Sequence, residues 1–156
     1  MIESQKLQPI QTEKQIWELL AKALPILKAL HDRGQVRGDL SPDSFVWRSP
    51  TQSLELLNFT GMSSPEYTAP EQLQGTTIAA SDLYSLGVSC IYGLTGVSPF
   101  EWLDSPIPWA NYLPTPLSPS LQNLLTKLTA SAVGDRYQTV DEVFQVMLQA
   151  GAAAPA

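Results

Sequence analysis

The stretch from Ile78 to Phe100 constrains the fold more than any other part of the chain, because no charged side chain lies between Leu83 and Leu94. Hydrophobic residues recur through it at helical spacing, and Gly96 followed by Pro99 marks where the helix ends. A helix without a charged side has no face that must meet water. The pattern therefore predicts a buried helix at the centre of a domain.

Composition limits the class of protein that surrounds this helix. Hydrophobic side chains make up 44% of the 156 residues, which is enough for one domain with a substantial core. The formal charge of −6 and the lack of a basic run argue against nucleic acid and anionic membranes as partners. No segment has the length and hydrophobicity of a membrane span, and the N-terminus lacks the pattern of a secretory signal. Cys90, the single cysteine, favours a reducing compartment, so we expect a cytoplasmic protein with a buried thiol.

Three further helices and one hairpin are expected around the central helix. Capping residues followed by apolar stripes predict helices at residues 12–31, 118–128 and 139–148. Two short apolar runs, at residues 45–47 and 54–57, flank the turn SPTQS and predict a β-hairpin. The fold class predicted from these elements is mainly α.

The same elements divide the chain into three parts. Residues 11–149 form the predicted domain, because they contain every helix and strand that the patterns indicate. Residues 1–10 are interpreted as an N-terminal extension. Residues 150–156, a short run of glycine, alanine and proline, are expected to be a disordered tail.

Four short motifs follow one another in an informative order. They are HDRGQVRGDLSPDS at 31–44, YTAPE at 67–71, DLYSLGV at 82–88 with its exit through Phe100, and DRYQT at 135–139. In this order they resemble the catalytic loop, the Ala-Pro-Glu motif, the buried central helix and the arginine-containing turn of Ser/Thr protein kinases. The resemblance covers Gln11 to Leu148 and implies a kinase C-terminal lobe, a helical bundle around a buried central helix with one small β-hairpin. Several segments are also similar to cyanobacterial kinases.

The loop that resembles the catalytic loop departs from the family at most of its chemical positions. Asp39 stands at the position of the catalytic base, but Arg37 and Gly38 replace the histidine and arginine before it. Ser41 takes the place of the lysine that contacts phosphate. Ser44 takes the place of the asparagine that binds magnesium.

The positions that would bind nucleotide and metal are also changed or absent. Asn58 stands at the magnesium-binding aspartate, and an amide oxygen carries no full charge with which to hold a hard dication. The family's glycine loop and strand lysine have no counterpart in the sequence, and the stretch from Asn58 to Glu71 is short for a regulatory activation loop. The resemblance therefore implies a pseudokinase, with no active catalytic residue, no cofactor and no metal.

Other retained residues resemble structural positions of the family. Asp82 corresponds to the helix aspartate that accepts hydrogen bonds from backbone N–H groups of the catalytic loop. Glu71 and Arg136 correspond to a buried ion pair. His31 is interpreted as structural, because one histidine without cysteine neighbours does not make a metal site.

A face that the small lobe of a kinase normally covers supplies the functional hypothesis. Without that lobe, we expect Phe45, Trp47, Leu56 and Phe59 to face solvent, and a large exposed apolar patch usually marks an interaction surface. The leading hypothesis is a lobe-only pseudokinase that binds a protein partner or itself, through this face or the helix-rich base, as a scaffold or regulatory module. One alternative is half of a split kinase whose small lobe and ATP-gripping residues come from a partner chain. Another is a stable degenerate fragment without a specific partner.

Overall fold

Four long helices and a small antiparallel sheet make up the part of the chain that the structure, a computed structural model, describes: residues 4–7, 9–48, 53–56 and 65–151. The helices are α1 (Glu13–Asp32), α2 (Pro70–Leu73), α3 (Ala79–Thr95), α4 (Pro119–Leu128) and α5 (Val140–Gln149), of which α2 is a single turn. The strands are β1 (Ser4–Lys6), β2 (Phe45–Arg48) and β3 (Ser53–Leu56). Short 3₁₀ turns lie at Pro42–Ser44, Pro65–Tyr67, Pro99–Glu101, Trp109–Tyr112 and Val133–Asp135. The predicted mainly α fold class is confirmed.

Helix α3 lies at the centre of the core. Every residue from Ala80 to Thr95 is buried except Tyr92, which is half-buried. The helix packs against α1 and α4, and Gly96 ends it in the left-handed conformation with φ of +71°. The prediction of a buried central helix is therefore confirmed.

The ends of the other helices follow from their capping residues. Thr12 and Gln15 form the predicted capping box of α1, in which each side chain accepts a hydrogen bond from the other residue's backbone N–H group. Ser118 and Thr139 cap α4 and α5 by accepting from the N–H groups three residues later. Each of these three helices thus begins where the side chain of its N-cap residue satisfies an otherwise free donor.

The sheet has one more strand than the predicted hairpin. Strand β2 pairs with β3, as predicted, and also with β1, so the order is β1-β2-β3. Just after β1, the N–H group of Leu7 donates to the carbonyl oxygen of Phe45 at 3.1 Å, and Leu7 itself is buried. Part of the segment interpreted as an extension therefore packs into the domain. The sequence Ser4–Lys6 is polar and does not alternate, which explains why no strand was predicted there.

Among the described helices, none combines the length and hydrophobicity that crossing a bilayer requires.

Candidate functional site

The loop that contains Asp39 is fixed to α3 by one buried carboxylate. Asp82 has no exposed surface, and it accepts hydrogen bonds from the backbone N–H groups of Arg37 at 2.9 Å and Gly38 at 2.8 Å. Its Oδ2 also lies 2.9 Å from Nε2 of His31, in the last turn of α1. The structure therefore brings together the loop, the end of α1 and the central helix. The contacts of Asp82 with the loop backbone are those that the resemblance implies, whereas its contact with His31 was not predicted.

The side chains at the first loop positions interact with one another. Nε of Arg37 lies 3.2 Å from Oδ1 of Asp39, so one oxygen of the carboxylate that the resemblance aligns with the catalytic base is bound by a guanidinium. The backbone of Gly38 has φ of +73°, and a Cβ atom there would lie 3.1 Å from Cγ2 of Thr77. A side chain at position 38, such as the family's arginine, would therefore strain the backbone and crowd its neighbour. The carbonyl oxygen of Gly38 accepts a hydrogen bond from Nε2 of Gln72 at 2.8 Å.

The serine at the position of the magnesium-binding asparagine has a local structural role. Ser44 is fully buried, and its hydroxyl oxygen accepts a hydrogen bond from the N–H group of Ser41 at 3.1 Å. This bond closes the 3₁₀ turn Pro42–Ser44, which leads directly into β2. Ser41 thus contributes its backbone to the turn.

The described loop residues do not fit a magnesium site. Magnesium is held by carboxylate, carbonyl or amide oxygens in near-octahedral geometry. Asp39 is paired with Arg37, and Ser44 offers only a buried hydroxyl that already closes a turn. Among residues 4–7, 9–48, 53–56 and 65–151, no three histidine, cysteine, aspartate or glutamate side chains gather where they could hold a metal ion. Asn58 lies outside the described residues.

The expected ion pair between Glu71 and Arg136 is present and well supplied with hydrogen bonds. Arg136 donates to both carboxylate oxygens of Glu71, from Nη1 at 2.7 Å and from Nη2 at 3.1 Å. It also donates to the carbonyl oxygens of Ala80, Ala130 and Ser131. All five N–H groups of this buried guanidinium are thereby satisfied. The pair joins the turn before α5 to α2 and α3.

The carboxylate of Glu71 is stabilised in its charged form. Burial raises the pKa of Glu71, but hydrogen bonds from Arg136 and Ser81 outweigh that effect, so the pKa lies below its ordinary value. The guanidinium of Arg136 also lies over the ring of Tyr84, 5.0 Å from the centroid. Glu71 and Arg136 therefore have a structural role, since their contacts connect helices of the domain.

The predicted open face needs a correction at Phe45. Its side chain has no exposed surface and belongs to the hydrophobic core, in which Leu7 also lies. Trp47 and Leu56 are half-buried and pack against that core. Phe59 lies outside the described residues. The face is therefore less open than the sequence suggested.

A groove that was not predicted lies beside this face. It has a volume of about 560 Å³ and is lined by residues of the second half of α1, of the following loop and of β3: Pro25, Ile26, Ala29, Leu30, Arg33, Arg37 and Leu56. Sequence reasoning missed the groove because its apolar residues on α1 form a second stripe, which cannot be told apart in the sequence from the stripe that faces the core. The signal that could have found it is the width of the combined apolar pattern, which exceeds what one face of a helix buries.

Comparison with known proteins identifies similar chains at moderate identity. No protein-family model matches. Over 91% of its length the chain is 27% identical to the serine/threonine-protein kinase PknA of Nostoc sp., and over 83% it is 27% identical to serine/threonine-protein kinase C of Synechocystis sp.. The fold is similar to the kinase domain of Mycobacterium tuberculosis PknI, with a TM-score of 0.71, 24% identity and coverage of 90% of this chain. The chain spans 29% of each of the two curated relatives and 56% of the PknI domain.

Proposed function

We propose that this chain, which has the fold of the C-terminal lobe of a Ser/Thr protein kinase, is a catalytically inactive lobe that binds another protein as a scaffold or regulatory module. The observation that carries the proposal is the arrangement of the loop at Asp39. Arg37 binds the carboxylate, and Gly38 adopts a backbone conformation that disfavours the family's arginine. Phosphoryl transfer depends on side chains that are positioned around a metal-bound nucleotide. Neither Arg37 nor Gly38 supplies such a side chain.

Other parts of the domain retain interactions that stabilise the fold. Asp82 still binds the loop backbone, and Arg136 still binds Glu71, although both are buried charges that cost free energy unless they are paired. The chain keeps these costly interactions, although the side chains of its loop differ from those of the kinases it resembles. This combination favours a role for the surface of the folded domain. That role is protein binding in our proposal, and a cytoplasmic location belongs to the same proposal because the buried Cys90 is a free thiol.

The test of inactivity uses the protein as it occurs in its host. We expect calorimetric titration with ATP and magnesium to show no binding, and incubation with labelled ATP to transfer no phosphate to the protein or to a general substrate such as casein. The Asp39→Asn variant and the matched Asp141→Asn variant, at an exposed carboxylate on α5, should both behave like the wild type. Phosphate transfer that only Asp39→Asn abolishes would contradict the proposal.

The split-kinase alternative rests on one observation, the partial exposure of Asp39. Its side chain is 24% exposed, so a nucleotide brought by a second chain could still reach it. This alternative requires a partner with a glycine loop and a strand lysine. Affinity capture from the native host identifies the partner, and adding that partner should then restore phosphate transfer that depends on Asp39. A partner without these features supports the scaffold proposal.

A further inference from the structure

The second half of α1 has apolar side chains on a side that the core does not cover. The core side of the same helix is fully buried at Leu24 and Leu27. Ile26 and Leu30 are only half-buried, and Ala29 between them is exposed. At 100° per residue these three positions lie on a side of the helix different from that of Leu24 and Leu27. The helix is therefore apolar on two sides, and within the described residues the protein covers only one of them.

This second side forms a wall of the groove described above. Leu56 of β3 lies across from it, so the groove runs between a helix and the edge of the sheet. From Pro25 to Arg33 its length along the helix axis is about 12 Å, or roughly two helical turns. Its volume of about 560 Å³ lies within the range of clefts that hold ligands. The groove can therefore accommodate several apolar side chains in a row.

The end of the groove is basic. Arg33 and Arg37 both line it, in a chain that has only nine lysines and arginines and a net charge of −6. Arg37 already pairs with Asp39, whereas no carboxylate among the described residues lies within ion-pair distance of Arg33. A carboxylate brought by a partner would therefore find a favourable charge at this end, although the protein as a whole repels acidic molecules.

We infer that this groove binds an amphipathic helix of a partner protein, whose apolar side chains are flanked by carboxylates. A helix fits because the apolar positions of the wall recur at three- and four-residue spacing, which matches a second helix with anchors at positions i, i+3 or i+4, and i+7. A carboxylate of the partner pairs with Arg33, and Arg37, which stays paired with Asp39, adds positive charge beside it. The inference rests on the proposed protein-binding function and adds the chemistry of the partner.

The test uses designed peptides and the full chain. One labelled helical peptide carries leucines at its first, fourth and eighth positions with glutamates on both flanks, and a matched peptide has lysines in place of the glutamates. Fluorescence anisotropy should show binding of the acidic peptide and much weaker binding of the basic one. Arg33→Glu should lower the affinity for the acidic peptide by roughly fivefold and raise the affinity for the basic one, because it reverses a charge at the rim of the groove. Ala29→Gln should weaken both, because it places an amide on the apolar wall.

A matched control and the folding of each variant make the result specific. Lys14→Glu is the same type of charge reversal on the same helix, at an exposed position in its first turn, and should leave both affinities unchanged. Circular dichroism and thermal melting should show that all three variants are folded. Equal binding of the two peptides, or no binding of either at about 1 mM, overturns the inference. A dimer of the wild-type chain that Ala29→Gln dissociates also overturns it, since the groove would then hold a second copy.

Failure of this inference can be distinguished from failure of the proposed function. If a partner captured from the native host binds Arg33→Glu and Ala29→Gln as tightly as the wild type, the groove is not its site, and the protein-binding proposal stands. If the protein as it occurs in its host binds ATP with magnesium and transfers phosphate, the proposed function is wrong whatever the peptides do.

Discussion

The carboxylate of Asp82 accepts a hydrogen bond from the backbone N–H group of Gly38 at 2.8 Å, across 44 residues of sequence. The same carboxylate contacts the N–H group of Arg37 and the ring of His31. Through one fully buried residue the conformation of the loop is coupled to the core. The loop that contains Asp39 is thus held in place through its backbone, whatever its side chains are.

Replacing Asp82 by asparagine should destabilise the domain strongly. The change removes the charge and places an NH₂ group where two backbone N–H groups need an acceptor, and a hydrogen bond to a charged group contributes about 1.5–3 kcal/mol. We expect the free energy of unfolding to fall by about 3 kcal/mol in urea titrations. Asp141→Asn is the control, because Asp141 and its partner Lys28 are exposed and such pairs contribute about 0–1 kcal/mol. Equal effects of the two changes would contradict a stabilising role for the Asp82 contacts.

Local patterns predicted the helices because their causes are local. The uncharged run that became α3 and the capping box at Thr12 each depend on residues within a few positions of one another. Asp82 and Arg136 differ in this respect, since they act on residues 44 and 65 positions away. Their roles came from the resemblance to kinases, because no spacing in the sequence indicates which distant atoms a buried charge will meet.

The third strand of the sheet and the groove beside α1 were predicted neither from the sequence pattern nor from the resemblance to kinases. The prediction that Phe45 faces solvent followed from the absence of the small lobe, but the side chain is buried in the core of this domain. The backbone of Phe45 is bonded to that of Leu7, and Leu7 follows the polar strand β1, which carries no strand signal. The groove at Ala29 likewise has walls from two elements, α1 and β3, that are distant in sequence. These features are tertiary, and they decide which surface is open.

Replacing Glu71 by glutamine should cost stability in a manner that depends on pH. The change leaves the buried guanidinium of Arg136 without its partner, and such a loss costs about 3–5 kcal/mol. Since the pKa of Glu71 is below its ordinary value of 4.5, the carboxylate stabilises the fold above that pH and loses this effect as the pH falls through the lowered pKa. Unfolding free energies of wild type and variant should therefore differ most near neutral pH and converge in acid. A constant difference would show that the charge of Glu71 is not responsible.

Two glycines of α3 should respond in opposite ways to alanine. A Cβ atom at Gly87 would lie 2.8 Å from Cβ of Leu128 and 2.9 Å from Cγ2 of Thr129, so α3 and α4 would have to separate. Overpacking of this kind costs about 1–3 kcal/mol, more than the gain of up to about 1 kcal/mol in helix propensity. At Gly93 the nearest atom, Cγ of Gln11, would be 3.4 Å away, so the propensity gain should dominate. Thermal unfolding should show a lower midpoint for Gly87→Ala and an unchanged or higher one for Gly93→Ala.

The thiol of Cys90 should be unreactive in the folded protein. Burial raises the pKa of Cys90 to about 12, and the side chain has no exposed surface, so at pH 8 almost no thiolate is present or reachable. We expect no reaction with Ellman's reagent under native conditions and one equivalent after unfolding in guanidinium. A Ser120→Cys variant, at an exposed position of α4, should gain one rapidly reacting thiol. Fast labelling of the wild type would mean that the core around α3 opens readily.

Replacing Asp39 by asparagine should separate a retained structural residue from a working base. Its carboxylate is paired with the partly buried Arg37 at 3.2 Å, and the loss of such a partly exposed pair should lower the free energy of unfolding by at most about 1 kcal/mol. If the protein acts by binding an acidic partner through the α1 groove, the affinity for that partner should not fall, because Asp39 does not line the groove and the loss of its charge leaves Arg37, which does, without an opposing carboxylate. Titration calorimetry with the captured partner measures this, and Ala29→Gln serves as the variant that should weaken binding. Should Asp39→Asn instead remove an activity while stability and partner affinity stay the same, the carboxylate takes part in chemistry, and the split-kinase alternative gains support.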